Sequence, residues 1–173
     1  FFVESDKKVS SLERNEKLKN VSYLKGMGNV FNRVERIQTI AEKVIRCLDD
    51  ETIDSKKIFD AATYCKSDLT SEIVYEFPEL QGIMGGKYLR NEGFDDEICL
   101  AVSEHYLPSF YKDELPSTKN GAIISISDKI ETLISIFILG KRPSGSSDPY
   151  ALRRNLNGVI RIIWDFEFNL SLK

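Results

Sequence analysis

The spacing of apolar residues constrains the fold of this chain more than any other feature of the sequence. Between residues 30 and 48 the apolar positions follow one another at intervals of four, three, four, three and four: Val30, Val34, Ile37, Ala41, Val44 and Leu48. This spacing predicts one apolar stripe along a helix of about five turns. A second long helix is predicted from about Lys119 to Leu139, with Gly140 ending it. Because no alternating strand pattern competes, the sequence predicts an all-α fold, a single helical globule.

Composition and charge narrow the class of protein. The chain has 173 residues, of which 42% are hydrophobic and 29% charged, so one ordinary domain covering residues 1–173 is expected. Its net charge of −3 excludes a globally basic nucleic-acid binder, although a local basic patch remains possible.

The longest largely apolar run, residues 133–139, is far shorter than the roughly 18 residues of a membrane span. Three cysteines without a CxxC pair are typical of a reducing compartment, and a cytoplasmic location without membrane contact is expected. Since the chain begins with Phe1, we expect it to be a piece of a longer polypeptide.

Few residues offer catalytic or metal-binding chemistry. His105 is the single histidine of the sequence, which excludes multi-histidine metal sites, and nothing places a cysteine beside it. Asp68 and Asp128 each interrupt an otherwise apolar helical pattern. The two carboxylates could bind a divalent cation, or they could cap helices and accept hydrogen bonds from backbone amides. The structural role is favoured, because the sequence offers no further ligands beside them.

The glycines between residues 82 and 87 superficially resemble a phosphate-binding loop. Their spacing and the absence of a preceding strand do not fit that motif. Gly82, Gly85 and Gly86 are therefore interpreted as positions where a neighbouring backbone approaches a helix closely.

A local basic segment is the strongest sign of a partner. From Lys141 to Arg161 the sequence holds five basic residues and one acidic residue, a local charge of +4: Lys141, Arg142, Arg153, Arg154 and Arg161, against Asp148. Asp148 and Pro149 are predicted to begin the last helix, as N-cap and first helical residue. Paired arginines beside a flexible loop suit phosphate oxygens. The alternative is a solvated helix face whose cations pair with acidic residues elsewhere.

Four segments together show a family resemblance. They are Cys65–Thr70 running into Glu76–Gly85, Glu104–Pro108, Ser127–Leu133, and Lys141–Arg154. In their order and spacing they resemble the beta subunit of bacterial-type heterotetrameric glycyl-tRNA synthetase, over essentially the whole chain.

The resemblance implies an HD-type helical domain from the interior of that subunit. Active HD domains hold a metal through a histidine, a His-Asp pair and a further aspartate. Here the His-Asp position corresponds to Ser67-Asp68, the later aspartate corresponds to Asp128, and residues 28–33 contain no histidine. The resemblance therefore implies two surviving positions, no bound metal and no catalytic residue in this chain.

The function implied is that of a non-catalytic tRNA-binding and assembly domain of glycine–tRNA ligase. Aminoacylation, with its ATP and Mg, is attributed in that family to the alpha subunit. The expected partners are the alpha subunit and tRNA(Gly), and not DNA. The candidate tRNA contacts are Lys141, Arg142, Arg153 and Arg154, with Arg153 preferred. Two alternatives stand beside this prediction: a metal-dependent HD-type nucleotide phosphohydrolase, and a spacer that touches neither tRNA nor substrate.

Overall fold

A computed structural model describes residues 2–142 and 148–170. Within these ranges lie nine α-helices: α1 Phe2–Asp6, α2 Ser11–Lys17, α3 Val30–Leu48, α4 Ser55–Tyr64, α5 Glu72–Glu76, α6 Ile83–Asn91, α7 Asp96–Glu104, α8 Lys119–Ile138 and α9 Leu152–Asp165. Short 3-10 turns cover Leu18–Asn20, Ser67–Thr70 and Pro78–Leu80. The described ranges contain no strand, only an isolated bridge between Ser22 and Asn29. The all-α prediction is confirmed.

Helices α3 and α8 form the centre of the fold. The predicted stripe of α3 is buried from Val30 to Val44, while Leu48 packs against the core from a partly buried position. Helix α8 is buried on nearly every face over its first half, because α3, α4, α7 and α9 all pack against it. The predicted long helices at 30–48 and 119–139 therefore both exist and lie against each other.

The predicted start of the last helix was wrong by three residues. Helix α9 begins at Leu152, after Ala151 with a φ of 56°, rather than at Pro149. Asp148 nevertheless binds the free amides of the first turn, because its carboxylate accepts from the N–H groups of Leu152 (2.7 Å) and Arg153 (2.9 Å). The Ser- and Gly-rich residues 143–147, where a flexible loop is predicted, lie outside the described residues.

The N-terminal residues are ordered by contacts that are distant in sequence. Nothing in the first eight residues predicts an element, yet α1 forms there, and its Asp6 is almost completely buried. The Asp6 carboxylate accepts from the N–H groups of Glu72 (2.9 Å) and Ile73 (3.1 Å) and from the Tyr88 hydroxyl (2.7 Å). A helix of five residues is too short to be stable from its own hydrogen bonds, so this tertiary anchor explains it.

The glycines of α6 permit the close packing that the sequence predicts. A Cβ on Gly86 would lie 2.4 Å from the carbonyl oxygen of Cys99 on α7, which is closer than any side chain tolerates. The packing interpretation of this segment is therefore confirmed. None of the helices within the described ranges has the length and apolar character needed to cross a membrane.

Candidate functional site

A buried ion cluster joins α3, α8 and the turn after α4. We define it as Arg33, Lys66, Asp128 and Glu131. Oδ1 of Asp128 accepts from Nη2 of Arg33 and from Nζ of Lys66, each at 2.9 Å. Nε of Arg33 also donates to Oε2 of Glu131 at 2.9 Å. Two cations thus balance two carboxylates in the interior, and Arg36 adds a partly exposed contact of 3.0 Å to Glu131.

His105 binds the same ammonium from another direction. Its Nε2 lies 2.9 Å from Nζ of Lys66, and its Nδ1 lies 2.7 Å from the carbonyl oxygen of Val102. Because an ammonium only donates, Nε2 is the acceptor and Nδ1 carries the proton that is donated to Val102. The Tyr106 ring completes the surroundings, with its centroid 3.9 Å from Nζ. The Lys66 side chain has no exposed surface, so a carboxylate, an imidazole and an aromatic ring replace its water.

The pKa shifts of Asp128, Arg33 and His105 agree with an ionised Asp128 and a neutral His105, whereas burial lowers the pKa of Lys66 against the opposing charge of Asp128. Burial by itself would raise the pKa of Asp128, but the charges of Lys66 and Arg33 hold it well below its usual value. Burial opposes the charge of Arg33, whose pKa nevertheless stays above its usual value because of Asp128. Burial and the neighbouring Lys66 lower the pKa of His105 well below its usual value. This histidine therefore stays uncharged at neutral pH, and its role here is that of a hydrogen-bond acceptor.

Asp68 has different partners from Asp128. Its Oδ2 accepts from the N–H groups of Gly82 (2.7 Å) and Gly85 (3.0 Å) at the start of α6. Gly82 occupies the N-cap position and has no side chain that could bind these amides, so Asp68 replaces the missing cap. Burial raises the pKa of Asp68 to about 6, although the two amide hydrogen bonds oppose this shift. Of the two interpretations left open by the sequence, the structure favours amide capping for Asp68.

The basic segment lies on the surface and is divided between two elements. Lys141 and Arg142 follow α8, whereas Arg153 and Arg154 lie in the first turn of α9, and all four are exposed. Among the described residues none of the four side chains forms an ion pair. Arg154 lies over Phe110, with its guanidinium carbon 5.7 Å from the ring centroid. The alternative of cations already paired with acidic residues therefore finds no support in the described part of the chain.

Comparison with known proteins assigns the family. Residues 1–173 match the family model for the glycyl-tRNA synthetase beta subunit. The glycine–tRNA ligase beta subunit of Geotalea daltonii is 46% identical over 172 residues, which cover 99% of this chain and 25% of that protein. The corresponding subunit of Thermodesulfovibrio yellowstonii is 45% identical over 172 residues, with the same coverage of 99% and 25%. The chain belongs to the glycyl-tRNA synthetase beta subunit family. It spans about a quarter of the length of these curated relatives.

A solved structure confirms the HD-type fold of this chain. The crystal structure of a predicted HD superfamily hydrolase from an uncultured Thermotogales bacterium superposes with a TM-score of 0.54 and 14% identity. The match covers 96% of this chain and 95% of that chain. At such low identity the likeness establishes the fold and does not extend to the activity.

The residues of this beta subunit chain do not fit the metal that active HD domains hold. Asp128 is neutralised by two cations, and the lone pair of the His105 imidazole faces the ammonium of Lys66. Asp68 is directed at backbone amides. Within the described ranges no three His, Cys, Asp or Glu side chains form a group that could hold a metal ion. A divalent cation placed at Asp128 would be repelled by Lys66 and Arg33.

Sequence reasoning missed three members of the buried ion cluster, Arg33, Lys66 and Glu131. Arg33 is not part of the apolar stripe of α3, but it is the third residue after Val30 and the fourth before Ile37, which puts it at the edge of that stripe. Lys66 follows the apolar face of α4 directly. His105 was noted only as the single histidine of the sequence, and the structure shows that it is completely buried. The spacing of Arg33 was the only feature of the sequence that could have indicated the cluster. Contacts between distant segments produce no periodic pattern in the sequence.

Proposed function

We propose that this chain is a non-catalytic part of glycine–tRNA ligase that binds tRNA and supports the assembly of the enzyme. In this proposal the alpha subunit uses ATP and Mg to attach glycine to tRNA(Gly) in the cytoplasm, and the beta subunit holds the tRNA. The observation that carries the proposal is the exposed basic segment: Lys141, Arg142, Arg153 and Arg154 lie without ion-pair partners among the described residues of a chain whose net charge is −3.

Side chains, rather than the helix terminus, would make the phosphate contacts. A helix N-terminus often binds phosphate through its free amides, but in α9 those amides already bind the Asp148 carboxylate. Successive helical residues point about 100° apart, so Arg153 and Arg154 cannot face one phosphate equally. Arg154 turns towards Phe110, which leaves Arg153 as the better phosphate ligand, with Lys141 and Arg142 contributing charge.

The absence of catalysis in this chain is part of the same proposal. The Asp128 carboxylate binds cations of the protein itself, and Oδ2 of Asp68 binds backbone amides. This arrangement supports a structural role for the cluster and gives no support to the alternative of a metal-dependent nucleotide phosphohydrolase.

The test is tRNA binding by the complete heterotetramer across a salt series. Arg153→Ala and the double variant Lys141→Ala/Arg142→Ala should each bind tRNA(Gly) more weakly. Each lost phosphate contact should also reduce the slope of log K against log salt by about one unit. Lys43→Ala is a matched control, since Lys43 is an exposed cation on α3. Unchanged affinity and unchanged slope in both variants would refute the proposal.

A further inference from the structure

Two adjacent aromatic rings are exposed on the connection between α7 and α8. The ring-bearing residues Phe110 and Tyr111 are 62% and 81% exposed. They border a small recess whose other walls come from Pro108 and from α9, through Arg154, Asn157 and Arg161. Single exposed apolar side chains are ordinary on a protein surface, but here two adjacent rings form one patch with arginines at its border.

The connection is held firmly although its rings face solvent. The Asp113 carboxylate accepts from the N–H groups of Ser109 (2.7 Å) and Phe110 (3.0 Å). From α9, Arg161 donates to the carbonyl oxygens of Phe110 (3.3 Å) and Asp113 (2.9 Å). The buried Lys129 donates to the carbonyl of Leu107 at 3.2 Å. These bonds fix the backbone on both sides of the rings, so a ligand would meet a surface that is already ordered.

Helix α9 can approach this connection because of one glycine. A Cβ on Gly158 would lie 2.8 Å from Cε of Lys129 and 3.4 Å from Cγ of Pro108. Because Gly158 has no Cβ, α9 packs directly on the base of the connection. This packing brings the guanidinium of Arg154 to the Phe110 ring. The basic first turn of α9 and the exposed rings therefore form one continuous surface.

The chemistry of this surface fits a base with its phosphate. The recess holds about 40 Å³, close to the roughly 30 Å³ that one water occupies, so a ligand lies on the rings and not inside the recess. Flat aromatic faces beside arginines are the combination by which proteins bind unpaired nucleotides, with the base stacked on the ring and the phosphate near the cation. A duplex offers no free base face to such a ring.

From this geometry we infer that Phe110 and Tyr111, with Arg154 beside them, form a stacking site for an unpaired nucleotide of the bound RNA. The inference rests on the proposed tRNA-binding function and adds a second kind of contact to it. Stacking does not release counterions, whereas phosphate binding does. The two contacts are therefore distinguishable by their dependence on salt.

The experiment compares Phe110→Leu/Tyr111→Leu with wild type in the complete heterotetramer. Stacking is worth about 1–3 kcal/mol per base, so tRNA(Gly) should bind about 5-fold to 150-fold more weakly with an unchanged salt slope. Chemical probing of the bound tRNA should show an unpaired base that wild type protects and the variant leaves reactive. Tyr75→Leu is the matched control, because Tyr75 is 83% exposed on α5 and lies beside Glu72 and Glu76. The Tyr75→Leu variant should bind tRNA(Gly) with wild-type affinity.

Three outcomes would overturn the inference. Unchanged tRNA affinity in the double variant would exclude stacking on the two rings. If the salt slope of Arg153→Ala is reduced in the same experiment, the proposed phosphate binding still stands. A fall in salt slope together with affinity would show that the rings only position the cations. Dissociation of the heterotetramer in size-exclusion chromatography, with unchanged probing of the tRNA in the remaining complex, would show that the rings face a protein.

Discussion

Replacement of Lys66 by methionine tests the buried ion cluster most directly. Methionine resembles the lysine stem in length and volume, so the substitution removes the ammonium and leaves little cavity. Asp128 keeps Arg33 as a partner but loses the 2.9 Å contact to Nζ, and Nε2 of His105 loses its donor. The buried carboxylate and imidazole would then be only partly satisfied.

The expected cost is large for a single substitution. Breaking a buried ion pair by removing one partner typically costs about 3–5 kcal/mol, because the remaining charge stays in the interior. Arg33 reduces this cost, and the lost His105 hydrogen bond adds about 1–3 kcal/mol for a buried acceptor left unsatisfied. We therefore expect the free energy of unfolding to fall by about 3–4 kcal/mol, a large share of the roughly 5–15 kcal/mol that stabilises a typical domain.

Urea unfolding followed by circular dichroism measures this effect as a shift in midpoint at constant m-value. Lys119→Met is the control: Lys119 also binds a carboxylate, Asp50 at 2.7 Å, but at an exposed site where little change is expected. Because the sequence holds a single histidine, its NMR signals report on the cluster without ambiguity. The pKa of His105 should rise towards its usual value when the Lys66 charge is removed. Equal, small shifts in midpoint for Lys66→Met and Lys119→Met would refute this account of the cluster.

Two further substitutions test the elements around the cluster. The folded state binds the Asp68 proton more tightly than the unfolded state, since burial raises the pKa from 3.8 to about 6, so stability should fall as pH rises through this interval. Relative to the Asp68→Asn variant, the wild-type free energy of unfolding should fall by about 2.4 kcal/mol between pH 4 and pH 7, measured by urea unfolding at each pH. Parallel pH profiles of the two proteins would contradict this. Gly86→Ala should destabilise the chain by about 1–3 kcal/mol, because the new Cβ meets the Cys99 carbonyl as well as the Ser103 side chain. Ser103→Ala should therefore fail to rescue it in thermal unfolding, and full rescue would show that only the serine hydroxyl was in the way.

Local patterns in the sequence were enough to predict the two long helices and the last helix, but not all of their ends and not every short helix. The stripe from Val30 to Leu48 identified α3, because burial of one helical face imposes a period that any reader of the sequence can see. The start of α9 was placed too early because Asp148 binds its first amides across an intervening turn rather than from the residue next to the helix. The short α1 left no pattern at all, since its anchor is the contact of Asp6 with α5.

The sequence by itself determined the all-α class, the family and the location of the basic segment. Each of these depends on residues that are neighbours in the chain or that follow a fixed local spacing. Only the tertiary structure decided how the charges are paired. Arg33, Lys66, His105 and Asp128 come from four separate segments and meet in the interior. Electrostatic interactions depend on distance and burial rather than on sequence separation, so the chain order could not show that an ammonium stands beside Asp128. The same holds for Phe110, which the fold brings to Arg154 from another part of the chain.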